Sequence, residues 1–160
     1  MAKSQERIRF PKLNLPPADL RLHCCEGITE VYDTQRMKWV ALTPEEWVRQ
    51  HFVAMLIGNK GYTASRIANE VSATYNGVKH RCDTVIYGRD KTPRMIIEYK
   101  APWVKINQTT FDQIARYNLF IKARYVVISN GITHYVFCCD NSSGQVTFLS
   151  DLPSAEELEK

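Results

Sequence analysis

The sequence predicts an α+β domain: a central mixed β-sheet flanked by helices, with main elements in the order α-β-β-β-α-β-β. Two segments repeat apolar residues at helical spacing and carry start and stop signals at their ends. Between and after them lie short runs rich in β-branched and aromatic residues. Two of the turns between such runs, Asn76-Gly77 and Asn130-Gly131, are strong two-residue hairpin signals.

In chain order, residues 1–27 read as an extended arm with Pro11, Pro16 and Pro17, residues 28–152 as the domain, and residues 153–160 as an acidic tail. Residues 28–32 and 37–42 flank Asp33-Thr34-Gln35-Arg36 as a small hairpin. Thr43-Pro44-Glu45-Glu46 starts the first helix: Thr43 caps, proline suits the first helical position, and Glu46 completes a capping box. Trp47, Val48, Phe52, Met55 and Leu56 then keep helical spacing until Gly58 and Gly61. Strands follow at 66–73, 79–87 and 94–100, the last stopped by Ala101-Pro102 because proline cannot donate to a ladder. A second helix spans 110–123, strands follow at 124–129 and 133–139, a last strand at 145–149, and Ser154 caps a short terminal helix.

The 160 residues (18.5 kDa) are 44% hydrophobic and 24% charged, which excludes wholesale disorder and fibres. A net charge of +4 and a pI of 8.8 are only mildly basic, but the charge is uneven. Residues 140–160 carry a net −4 and the rest +8, and residues 79–105 hold seven bases against three acids. That distribution suits a polyanionic partner on one face. The five cysteines, Cys24, Cys25, Cys82, Cys138 and Cys139, fit neither a disulfide ladder nor zinc spacing. They read as reduced core thiols of a cytoplasmic protein. No signal-peptide core opens the chain, and the longest apolar run, residues 52–57, is far short of the ~20 residues of a membrane span. Gly58-Asn-Lys-Gly61 lacks the spacing of a phosphate loop and follows a helix, so no nucleotide site is expected. The histidines have no mutual metal spacing; His51 and His134 read as structural, and His80 stands close in sequence to Asp83.

The informative charges interrupt apolar strands. Asp83 lies within Arg-Cys-Asp-Thr-Val-Ile-Tyr, and Glu98-Tyr99-Lys100 ends the next strand. The turn between them folds the two carboxylates together, and period-2 alternation sets Glu98 and Lys100 on one face, ~7 Å apart along the strand. Converging carboxylates repel unless a proton or cation intervenes. A hard divalent ion such as Mg²⁺, with Mn²⁺ as a substitute, resolves the repulsion and lowers the pKa of a bound water. Lys100 is placed to position that water or stabilise charge on phosphorus. An ordinary exposed Glu–Lys pair is the plainer account of the same spacing.

Arg81-Cys-Asp83, Glu98-Tyr-Lys100-Ala-Pro and Gln113-Ile-Ala-Arg-Tyr117 together resemble the PD-(D/E)XK nucleases, and more closely the amino-terminal nuclease domain of type I restriction enzyme R subunits. Leu42-Thr-Pro-Glu-Glu-Trp-Val-Arg-Gln-His51 and Ser129-Asn-Gly-Ile-Thr-His-Tyr135 resemble small stand-alone members of that group. The resemblance runs from about residue 28 to 150 and implies an α/β/α, restriction-endonuclease-like core. It implies Asp83 and Glu98 as metal ligands and Lys100 as the catalytic lysine. Glu46 takes the position of a glutamate on the preceding helix, although Glu45 and Glu70 also stand near and the capping box explains Glu46 equally well. Gln113 and Tyr117 match an accessory motif; a cap contact with Thr110 and a half-buried core position account for them too. Cys82 stands where the motif name has proline, which removes no ligand.

The expected function is therefore Mg²⁺-dependent hydrolysis of DNA phosphodiesters. The alternative is a nuclease-fold module that binds DNA or a protein partner without cutting. Arg81, Arg89, Lys91, Arg94, Lys105, Arg116, Lys122 and Arg124 surround the expected site and suit phosphate contacts, which position a duplex without reading it. One site cuts one strand, so a double-strand break calls for a homodimer or two visits.

Overall fold

Left-handed backbone at Glu26 (φ 50°) and Gly27 (φ 82°) closes the first hairpin of the molecule, a turn whose twist matches its strands. It joins β1 (Leu22–Cys25) to β2 (Ile28–Asp33), and β3 (Lys38–Ala41) completes a three-stranded antiparallel sheet. The computed structural model describes residues 10–160. The predicted arm is therefore partly a strand: β1 lies inside it, paired to β2 from Leu22↔Val31 to Cys25↔Ile28. Residues 1–9 of that arm lie outside the described residues. The β2–β3 turn is the expected one, closed by Asp33, whose carboxylate accepts from the N–H groups of Gln35 (2.7 Å) and Arg36 (2.9 Å).

Helix α1 (Pro44–Lys60) starts with Thr43 as its cap, Oγ1 accepting from the Glu46 N–H at 3.1 Å. The expected box is not completed: the Thr43 N–H donates to the Ala41 carbonyl (3.0 Å), and the Glu46 carboxylate is taken by Arg36, Arg49 and Gln50. Gly61 ends it in the left-handed conformation at φ 77°. A six-stranded sheet follows in the spatial order β4 (Ile67–Tyr75), β5 (Val78–Tyr87), β6 (Pro93–Tyr99), β7 (Tyr125–Ser129), β8 (His134–Cys139), β9 (Val146–Leu149). Every neighbouring pair is antiparallel except β6–β7, which is parallel because helix α2 (Gln108–Ile121) makes the crossover. The helix begins two residues earlier than its apolar pattern indicates, because Asn107 and not Thr110 supplies the cap oxygen.

The helices cover opposite faces. Val48, Phe52 and Leu56 of α1 share a core with Met95, Ile97 and Tyr99 of β6. Ile114 of α2 packs with Val85, Ile96, Val126 and Ile128 on the other side. This is the expected sheet between helices. Glu70 interrupts the β4 ladder with φ 58°: Asn69↔Thr84 and Val71↔Cys82 pair on either side of it. Before this kink Ile67 and Ile86 belong to the α1 face; beyond it Val71 and Cys82 join the α2 face. A local twist of this kind re-aims side chains, and here it leaves Glu70 and Asp83 where the two faces part.

The acidic tail is docked. Leu152 and Leu158 are buried in the α1-side core, and Tyr62 donates to the Pro153 carbonyl at 2.6 Å. The cysteines differ from expectation. Only Cys82 is buried, Cys138 and Cys139 are half-buried, and Cys24 and Cys25, adjacent on β1 and so on opposite faces of it, are both exposed. No helix among the described residues is long and apolar enough to cross a membrane.

Candidate active site

Register builds the centre of the site. Thr84 pairs with Ile97 across β5 and β6, so the next position sets Asp83 opposite Glu98. Past that last rung, the Tyr99 N–H donates to Asp83 Oδ2 at 2.8 Å, a side chain standing in for a ladder acceptor. Lys100 leaves the strand end with its ammonium donating to Glu98 Oε1 at 3.4 Å. The three expected side chains therefore meet, in a cleft of about 500 Å³ that Arg81, Glu70 and Glu46 also line.

The cleft holds two further cations that the sequence reading did not assign. Arg49 of α1, with 4% of its side chain exposed, donates to Glu46 Oε2 (3.0 Å) and to Glu70 Oε1, and lies 3.5 Å from Asp83 Oδ1. Arg36, from the β2–β3 turn, bridges Asp33 and Glu46 Oε1 (2.6 Å). Gln50 adds a third donor to Glu46 at 2.8 Å, and Arg81 pairs with Glu70 Oε2 at 2.8 Å. Behind them Asp33 accepts from Asn69 (3.0 Å), which accepts from Thr84 (2.7 Å), tying the small sheet to the large one. The available signal was spacing: Glu46, Arg49 and Gln50 fall at i, i+3 and i+4 on one helix face.

Compensation is unequal. Both oxygens of Glu46 and of Glu70 are held by short ion pairs, whereas the cations nearest Asp83 and Glu98, Arg49 and Lys100, stand at 3.5 and 3.4 Å. Burial, and then the Asp83 charge beside it, push the Glu98 carboxyl up to about 7 against the pull of Lys100. Burial also raises Asp83, with the Tyr99 N–H and Arg49 offsetting part of it. Asp33 goes the other way. Burial pushes it up, but the Arg36 N–H, the Asn69 amide and the Arg36 guanidinium together hold it below the usual range.

This donor set suits a hard divalent cation. Two convergent carboxylates have only long contacts to cations, and Mg²⁺ is commonly held by one or two carboxylates with waters completing its shell. Among the described residues no group of three His, Cys, Asp or Glu stands in a metal-holding arrangement, so the pair is all the protein would bring to such a shell.

The remaining expected residues lie elsewhere. Gln113 is exposed on α2, and Tyr117 packs edge-on against His80 with ring centres 5.0 Å apart; neither lines the cleft. Arg81 is on the cleft rim with 65% of its side chain exposed. Arg94 sits four residues before Glu98 on β6, ~13 Å away along a strand, and pairs with Asp90 at 3.0 Å. Lys105 and Arg116 are exposed outside the cleft. His51 and His134 make structural contacts, with the Trp47 carbonyl (2.8 Å) and with Ser129 (2.7 Å).

Comparison with known proteins agrees with this architecture. Residues 44–153 match the family described as type I restriction enzyme R protein N terminus. A fragment structure described as an HsdR subunit of a type I restriction enzyme from Vibrio vulnificus YJ016 superposes with a TM-score of 0.54 at 21% identity. The match covers 73% of this chain and 24% of that one, a likeness of fold over about a quarter of the longer protein. No curated protein matches.

Proposed function

We propose a function from one premise: this chain belongs to the type I restriction enzyme R protein N-terminus family. Its cleft is a PD-(D/E)XK-type nuclease site that hydrolyses DNA phosphodiesters with Mg²⁺, or Mn²⁺ in its place. The observation that carries this reading is the undercompensated pair Asp83–Glu98 beside Lys100 in an open cleft. Asp83 and Glu98 would hold the ion. When bound, it supplies a Lewis acid that makes water a better nucleophile and shields charge on phosphate oxygen.

The chain's own groups do the rest. The Tyr99 N–H fixes Asp83, so the carboxylate points into the cleft without relying on solvent. Lys100, a cation with three donors, restrains Glu98 and presents the remaining N–H bonds to a water or a non-bridging phosphate oxygen. Arg81 on the rim is an exposed cation placed for a neighbouring phosphate. In hydrolysis one P–O ester bond breaks, water supplies the new P–O bond, and its proton leaves to solvent or to the departing oxygen. Gln113 and Tyr117 would serve from α2, outside the cleft, as DNA contacts or as support.

The test is nicking of supercoiled plasmid by the full chain with Mg²⁺, Mn²⁺ or EDTA. We expect metal-dependent nicking that falls by about 100-fold or more in Asp83→Ala and Lys100→Ala, as loss of a transition-state contact does. Nicking unchanged in both variants would sink the reading. A non-cleaving module is the second reading, favoured by the absence of a third metal-holding side chain among the described residues. It wins if the protein binds DNA with a steep salt dependence and never nicks.

A further inference from the structure

We infer that the cleft takes one divalent cation and not two, because Arg49 permanently occupies the place where a second would be held. The inference rests on the reading that Asp83 and Glu98 bind metal.

Glu46, Glu70, Asp83 and Glu98 all line the cleft. The structure divides them into unlike pairs. All four oxygens of Glu46 and Glu70 already lie in ion pairs: Arg36 on Glu46 Oε1, Arg49 on Glu46 Oε2 and Glu70 Oε1, Arg81 on Glu70 Oε2. Arg49 is the shared element. It is held at i, i+3 from Glu46 on the same rigid helix, is almost fully buried, and its guanidinium does not lose its proton at any working pH. A dication at Glu70 would have to sit against that charge. Removing Arg49 from the carboxylates instead would leave a buried guanidinium unpaired, a state proteins avoid. Asp83 and Glu98 keep only long contacts to cations, 3.5 Å to Arg49 and 3.4 Å to Lys100, and face the open cleft, so the ion goes there. Arg49, 3.5 Å from Asp83 Oδ1, would then act as a positioning residue for that ligand, and Glu46 is the anchor of Arg49 and no ligand.

Mn²⁺ titration of the full chain, by calorimetry with electron paramagnetic resonance as a second readout, tests this without reference to cleavage. We expect one ion per chain with a mononuclear spectrum. Asp83→Asn should weaken its binding by about tenfold or more, and Glu46→Gln by less than that, the loss seen when groups beyond the ligands are changed being of order 10- to 100-fold only where they touch a ligand. Arg49→Met, where it folds by circular dichroism, should admit a second ion. Two ions on the unaltered chain, or a loss in Glu46→Gln equal to that in Asp83→Asn, overturns the inference and leaves the metal-dependent reading intact. No bound ion overturns both. The stoichiometry and the Glu46→Gln result decide the matter even if Arg49→Met does not fold.

Discussion

Glu98 makes the charge imbalance of the cleft measurable. Its folded pKa of about 7 stands above the ordinary 4.5, so the fold disfavours the ionised form. Below pH 4.5 both folded and unfolded states hold the proton and no penalty exists. As pH rises from 4.5 to about 7 the unfolded chain releases its proton first, and stability falls across that window and then levels off. The full difference is on the order of 3 kcal/mol. In urea unfolding with EDTA present, Glu98→Gln should gain on the unaltered protein between pH 5 and pH 8. A difference between the two proteins that does not change with pH would contradict the imbalance. At this scale Asp83, Glu98 and Lys100 were readable from sequence because charge inside an apolar strand needs a reason. Arg36 and Arg49 were not. A charged residue three positions from an acid on a helix is common on solvated faces, and only tertiary packing decides that this one is buried.

Among the elements, explicit punctuation located the turns but not always their type: Asn130-Gly131 stands in a four-residue loop, because Ser129 pairs with His134 and only Gly131 takes positive φ. Asn76 and Gly77 both take positive φ, as the hairpin signal requires, and the parallel step at β6–β7 follows from placing a helix between two strands. The first hairpin escaped notice because Glu26-Gly27 carries its glycine without the preferred Asn or Asp before it. The kink at Glu70 was equally hidden: a glutamate with left-handed backbone in mid-strand has no sequence mark, and its tolerance rests on Arg49 and Arg81 holding its carboxylate. The start of α1 matters most for function, since it fixes Glu46 and Arg49 together. Thr43→Ala should lower stability by about 1 kcal/mol through loss of the cap, measured as a urea midpoint shift at constant slope. No shift would mean that the Arg36–Glu46 pair, and not the cap, secures this end of the helix.

For the molecule as a whole, the segments at both ends of the chain close one core. Leu13 from the arm, Leu158 from the tail and Leu152 just before it share the cluster of Phe52 and Tyr99, the residue whose N–H holds Asp83. The family match ends at residue 153, yet the tail beyond it is packed, with Glu159 paired to Arg66 at 2.8 Å and bound by the Arg89 N–H. An acidic tail on a basic body looks solvated in sequence; the apolar Leu158 inside it, with Leu152 just before it, is what docks it. These contacts lie toward the Tyr87–Pro93 turn, while the site lies at the far end of β6. Stability and metal binding should therefore separate. Leu158→Ala should cost about 2 to 4 kcal/mol in urea unfolding, as for a buried leucine, while Mn²⁺ affinity of the still-folded protein at low temperature stays the same. If affinity fell in parallel with stability, the core beneath Tyr99 would be transmitting the loss along β6, and the carboxylate pair would owe its placement to global packing in place of the local β5–β6 register.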